Sequence, residues 1–130
     1  MKNIINEKPQ IDLSGRLKAS FDFVSEIDIK NKTILDVGSA LGAFGHWALS
    51  NGAKSYAGIE IQNGYRNLSN KLLSEYQSGK DWVLYENIDQ ITSTYDIVIA
   101  AGVLHGYFDI FAAISKLCKL SNQFIIIEAH

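Results

Sequence analysis

The sequence predicts a doubly wound α/β fold, a mainly parallel sheet of about five strands with helices on both faces. Short runs that are almost wholly apolar alternate along the chain with longer segments of helical periodicity, the pattern of strands covered on both sides. Glycines stand at the joints between these runs. With 130 residues, 47% of them apolar, the chain is long enough for one sizeable core and too short for two ordinary domains. Residues 1–130 therefore read as a single domain.

The first ten residues, which carry the only proline, Pro9, are expected to be loosely held. Leu13, Leu17, Phe21 and Val24 then recur at spacings of three and four, predicting a helix over about 12–26 capped by Asp12 or Ser14. Residues 32–37 form a β-branched, apolar run that ends in Gly38, and residues 43–50 read as helix until Gly52 stops it. Ser55 to Ile59 predicts a second strand. The helix that follows places Tyr65, Leu68, Leu72 and Tyr76 on its buried face, with Gly79 beyond its end. Trp82 to Tyr85 and Tyr95 to Ala100 give a third and a fourth strand. Ile110, Phe111, Ile114, Leu117 and Cys118 mark a helix whose buried face includes Cys118, and Phe124 to Ile127 form the fifth strand.

The chemistry concentrates where the first strand turns into its helix. Gly38, Ala40 and Gly42 let the main chain bend tightly and let a ligand approach backbone N–H groups and a helix N-terminus. Glu60 ends the next strand, where a carboxylate can accept hydrogen bonds from both hydroxyls of a ribose. Together these predict a nucleoside ligand. Asp36, two residues before Gly38, would repel a pyrophosphate and suit a cationic amino group. Its charge favours S-adenosylmethionine over NAD.

At these residues the sequence resembles the class I S-adenosylmethionine-dependent methyltransferases, whose first motif is an acid, an apolar residue and then glycines at every second position. Asp36, Gly38 and Gly42 match it, with Ala40 where the family has its middle glycine. The resemblance covers Ile34 to about Glu128 and implies a Rossmann-like core lacking the usual C-terminal strand pair. It implies that Asp36, Gly38, Ser39, Ala40, Gly42, Phe44 and Ile61 bind the cofactor, with Asp36 at the amino group of its methionine part. Glu60 falls to its ribose, and Asn87 and Ile88 to its adenine. Residues 95–105 resemble the fourth motif, with Ala101 and Gly102 as the floor beneath the reactive methyl. There His105 stands where a neutral imidazole can take a proton from the acceptor. The implied activity is methyl transfer from S-adenosylmethionine to a small-molecule O or N nucleophile, leaving S-adenosylhomocysteine.

Other features narrow the reading. Asp96 reads as a turn or cap residue, His46 as a packing or surface histidine, and no metal ligand set stands out. With one proline, the chain cannot hold the Asn/Asp-Pro-Pro-Tyr or Pro-Cys motifs of two DNA-methylating branches. A formal charge of −2 gives no field for phosphate backbones, so nucleic acid is disfavoured. Leu13 to Lys18 and Gly52 to Lys54 partly resemble segments of hemolysin-like RNA ribose methyltransferases, which keeps an RNA methyltransferase as a lesser alternative. The chain ends just after an apolar strand that reads as interior, which predicts a truncated domain or pairing of that strand's edge with another chain or a further segment. A cofactor- or partner-binding module without turnover is the main alternative, and an NAD(P)-binding domain a third. One cysteine, no secretory signal pattern and no membrane-length apolar run place the protein in the cytoplasm.

Overall fold

In the computed structural model, which describes residues 22, 24–101 and 109–128, five strands form one parallel sheet in the order β3-β2-β1-β4-β5. The strands are β1 (Thr33–Val37), β2 (Ser55–Ile59), β3 (Trp82–Tyr85), β4 (Tyr95–Ala101) and β5 (Ser121–Glu128). Helix α1 (Ala43–Ser50) follows β1, α2 (Asn63–Tyr76) follows β2, and α3 (Ile110–Leu120) leads into β5. A 3₁₀ turn, Ile88–Gln90, lies after β3. Of the predicted N-terminal helix, Asp22 and Val24 are helical; residues 1–21 lie outside the described residues.

Alternate residues of each central strand enter opposite cores, the period-two consequence of a pleated backbone. Ile34, Tyr56, Ile97 and Ile99 pack with Phe44, Trp47 and Leu49 of α1 and Leu73 of α2. Leu35, Val37, Ala57, Val98 and Ala100 face the other way, onto Ala113 and Leu117 of α3. The sheet is thus covered on both faces, as the apolar runs predict. At the opposite end from the strand tips, Asp96 and Thr33 exchange hydrogen bonds between β4 and β1, Thr33 N donating to Oδ2 at 3.0 Å and Asp96 N to Oγ1 at 2.8 Å. The structural reading of Asp96 fits this tie.

Two predicted faces are corrected. On α2 the buried side chains are Ser69 and Leu73, while Tyr65, Leu68 and Tyr76 are exposed. The cause is the neighbouring helix: a Cβ on Gly42 would come within 2.8 Å of Ser69 Oγ, and Gln77 Nε2 donates to Ser50 Oγ at 3.0 Å. Small and polar groups fit this α1–α2 seam, and the larger apolar stripe is displaced outward. On α3, Cys118 is exposed rather than buried, because Ala113 and Leu117 make the sheet contact. The fifth strand is also longer than its apolar stretch, starting at Ser121 directly after α3. Among the described residues no helix is long and apolar enough to cross a membrane.

Gly45 of α1 gives a test of this packing, since a Cβ there would lie 2.4 Å from Cε2 of the buried Tyr56 ring. Alanine in a helix gains up to about 1 kcal/mol over glycine, whereas forcing a methyl into a filled core costs about 1–3 kcal/mol. Overpacking wins here, and Gly45→Ala should lower the urea midpoint. Gly64→Ala, with nothing within 4 Å of the new Cβ, should leave it unchanged or raise it.

Candidate cofactor site

The strand order reverses direction between β1 and β4, and in doubly wound sheets ligands bind beyond the C-terminal strand ends at such a point. The β1–α1 loop lies at that crevice. Gly38, Ala40 and Gly42 have φ of 78°, 48° and 85°. Every second residue of the loop is therefore left-handed, a conformation that costs a residue with a Cβ about 1–2 kcal/mol. Ala40 accepts this strain with the smallest side chain that can feel it.

Backbone donors of the loop are turned onto the end of β2. Gly38 N and Ser39 N both donate to Ile59 O, at 2.8 and 3.0 Å. Ala40 N donates to Glu60 Oε1 at 2.8 Å, and Gln62 N donates to Oε2 at 2.9 Å. Each carboxylate oxygen of Glu60 thus accepts one N–H and keeps a second acceptor site, because an ionised carboxylate has about four. Arg66 holds the same turn from α2, with Nη1 donating to Glu60 O at 2.7 Å and Nη2 meeting Asn63 Oδ1 and, at 3.3 Å, Glu86 Oε1. Helix α1 opens on Gly42 without a side-chain cap, so the N–H groups of its first turn are not taken by one.

Asp36 lies at the tip of β1, beneath the loop, and is only 2% exposed. Tyr56 Oη donates to its Oδ2 at 2.7 Å. Burial raises the Asp36 carboxyl to about 7; the Tyr56 hydrogen bond opposes this rise and the nearby Glu60 charge adds to it. Burial and the Asp36 carboxylate likewise push the Tyr56 hydroxyl well above its usual range, so it stays a donor.

The predicted site residues are not all equivalent. Asp36, the loop and Glu60 come together, and Ile61 stands beside Glu60 with 74% of its surface exposed. Asn87 caps the 3₁₀ turn, its side chain accepting from Asp89 N at 2.9 Å, and Ile88 is partly buried beside it. Phe44 points into the core, leaving only its backbone at the site. Ala101 ends β4. Gly102 and His105 lie outside the described residues. His46 is fully buried against Gln77, as a packing histidine, and burial lowers its pKa. Tyr56 and Arg66 carry no sequence signal of their own; a tyrosine on the strand beside the acid is the only hint. Among the described residues no cluster of His, Cys, Asp or Glu could hold a metal ion.

No protein-family model matches this sequence, and no curated protein does. Solved structures do. Magnesium protoporphyrin IX methyltransferase of Synechocystis, with bound S-adenosylmethionine, is similar at a TM-score of 0.71 and 21% identity, over 85% of this chain and 54% of that one. An S-adenosylmethionine-dependent methyltransferase of Aquifex aeolicus gives 0.68 and 16%, over 83% and 62%. A candidate RNA methyltransferase of Pyrococcus horikoshii gives 0.67 and 23%, over 93% and 62%. The chain has the Rossmann-like fold of these methyltransferases and spans 54–62% of their lengths.

Asp36 ionises near 3.8 in an unfolded chain and at about 7 in the fold. Between those values the folded protein keeps a proton that the unfolded chain has released, so the stability this group contributes is full below about pH 4 and lost as pH rises through 7. Asp36→Asn, which cannot ionise, should raise the unfolding free energy by roughly 2–4 kcal/mol at about pH 8 and change it little at about pH 4. Urea denaturation at the two pH values measures this, and an equal effect at both would contradict the buried, proton-holding carboxyl.

Proposed function

We propose that this chain is an S-adenosylmethionine-dependent methyltransferase domain acting on a small-molecule O or N nucleophile. The tie between Ala40 N–H and Glu60 Oε1 carries the reading, because it brings the glycine-patterned loop and an acid with spare acceptor sites to one crevice. Two vicinal hydroxyls match the two oxygens of Glu60, and the exposed Ile61 offers an apolar surface to the ring system beside them. The turn at Asn87 and Ile88 would bound the adenine. The uncapped first turn of α1 suits a carboxylate, and Asp36 suits the neighbouring amino group.

Bound S-adenosylmethionine supplies an electrophilic methyl group, and the protein's part is to align it with an acceptor. Ala101, small and at the end of β4, leaves room for that approach. His105 is proposed to take the acceptor's proton. The charge balance of the chain favours a small acceptor over RNA, and its single cysteine suits the cytoplasm. β5 closes the sheet with Phe124 half exposed, and we read this edge as pairing with another chain or a further segment. A strict monomer at high concentration in light scattering would remove the pairing with another chain.

Calorimetric titration should show binding of S-adenosylhomocysteine and none of NAD. Replacing Glu60 by Ala should weaken binding at least tenfold, roughly the loss of one to two hydrogen bonds to a charged group. Binding without transfer to any acceptor identifies a cofactor-holding module, the second reading. Failure to bind S-adenosylhomocysteine contradicts both.

A further inference from the structure

We infer that Tyr56 is a positioning residue of the cofactor site: its hydroxyl fixes the Asp36 carboxylate beneath the Gly38–Gly42 loop, so that binding of a cofactor bearing a cationic amino group depends on that hydroxyl. The inference deepens the proposed function and rests on it. Tyr56 and Asp36 lie on adjacent strands, with Ile34 paired to Tyr56 and Asp36 paired to Gly58. Both side chains are buried, and the 2.7 Å bond joins them on the face that carries α1. The ring has no freedom to turn away, because it sits against Gly45, where even a methyl group would come within 2.4 Å. A phenylalanine at this position would keep the apolar packing of the ring and lose the hydroxyl's bond to Asp36.

The groups that face Asp36 decide what the hydroxyl does. Glu60, just beyond β2, is the other charged group acting on it, and it opposes ionisation of Asp36. From β4 the register neighbour is the apolar Ile99. The titratable residue of α1, His46, is engaged with Gln77, just after α2. Among the described residues Tyr56 is thus the one group placed to favour the ionised carboxylate, through a hydrogen bond that strengthens when its acceptor is charged. A cation arriving at the loop needs that ionised form, so cofactor affinity rises with pH across the neutral range, and the hydroxyl sets where the rise occurs.

Calorimetric titration of S-adenosylhomocysteine into the wild type, Tyr56→Phe, Asp36→Asn and the double variant, across pH, tests this. Loss of the hydroxyl should move the rise upward by about one pH unit, so Tyr56→Phe binds about tenfold more weakly than wild type at about pH 6 and equally toward about pH 9. In the Asp36→Asn background the Phe substitution should have no further effect. Thermal unfolding establishes that each variant is folded. A loss of the same size at every pH, or in both backgrounds, assigns Tyr56 a packing role and overturns the inference, as does an unchanged profile. Absence of binding by the folded wild type overturns the cofactor reading itself and the inference with it.

Discussion

The strap between the β1–α1 loop and the end of β2 is the constraint on which the site depends. Ile59 O takes two consecutive loop N–H groups, and the Glu60 carboxylate takes a third while also taking Gln62 N. Consecutive N–H groups can converge in this way only where the chain coils back on itself, which forces the left-handed residues at 38, 40 and 42. The same strap starts α1 at Gly42 and closes the loop over Asp36. One carboxylate therefore shapes the loop and keeps acceptor capacity beyond the two N–H groups it takes. In a buried setting such charge-assisted bonds are short and directional.

Much of this was readable in the sequence, for identifiable reasons. β1, β2, β3 and α1 follow from apolar runs bounded by glycines, because Gly38, Gly52 and Gly79 adopt the positive φ that stops or turns a chain. The loop and Glu60 follow from spacing. Ala40 reads as a departure from a glycine pattern, yet its φ of 48° shows that the backbone requirement persists and is met at a cost. The buried face of α2 was not readable. Two stripes compete there at helical spacing, and the more apolar one loses because the α1–α2 seam is lined by Gly42, His46 and Ser50, which accept Ser69 and Gln77. Tertiary context overrides the hydrophobic count. Tyr56 was hidden for a related reason: a tyrosine in a strand is ordinary until its hydroxyl is seen to end on an acid.

Departures from stability gather around the loop. Asp36 is buried with its carboxyl raised, Ala40 is left-handed, and Ser39 Oγ, Ser69 Oγ and His46 Nε2 find no hydrogen-bond partner among the described residues. The side chains of Asn87 and Asp109, by contrast, cap the elements after them in the ordinary way. A left-handed alanine and a buried carboxyl beside one another at the strand tips are features that stability alone does not favour. The solved methyltransferases share this fold at low identity, so the similarity speaks for the scaffold. The case for the ligand rests on the loop, Glu60 and Asp36.

Amide chemical-shift mapping with S-adenosylhomocysteine tests that case most directly, since it locates the ligand as well as detecting it. The largest changes should fall on the backbone of residues 38–42, on Glu60 to Gln62, and on the turn at residues 87–90. Changes confined to other surfaces, or none at saturating ligand, would contradict a cofactor site built on the strap between Ala40 and Glu60.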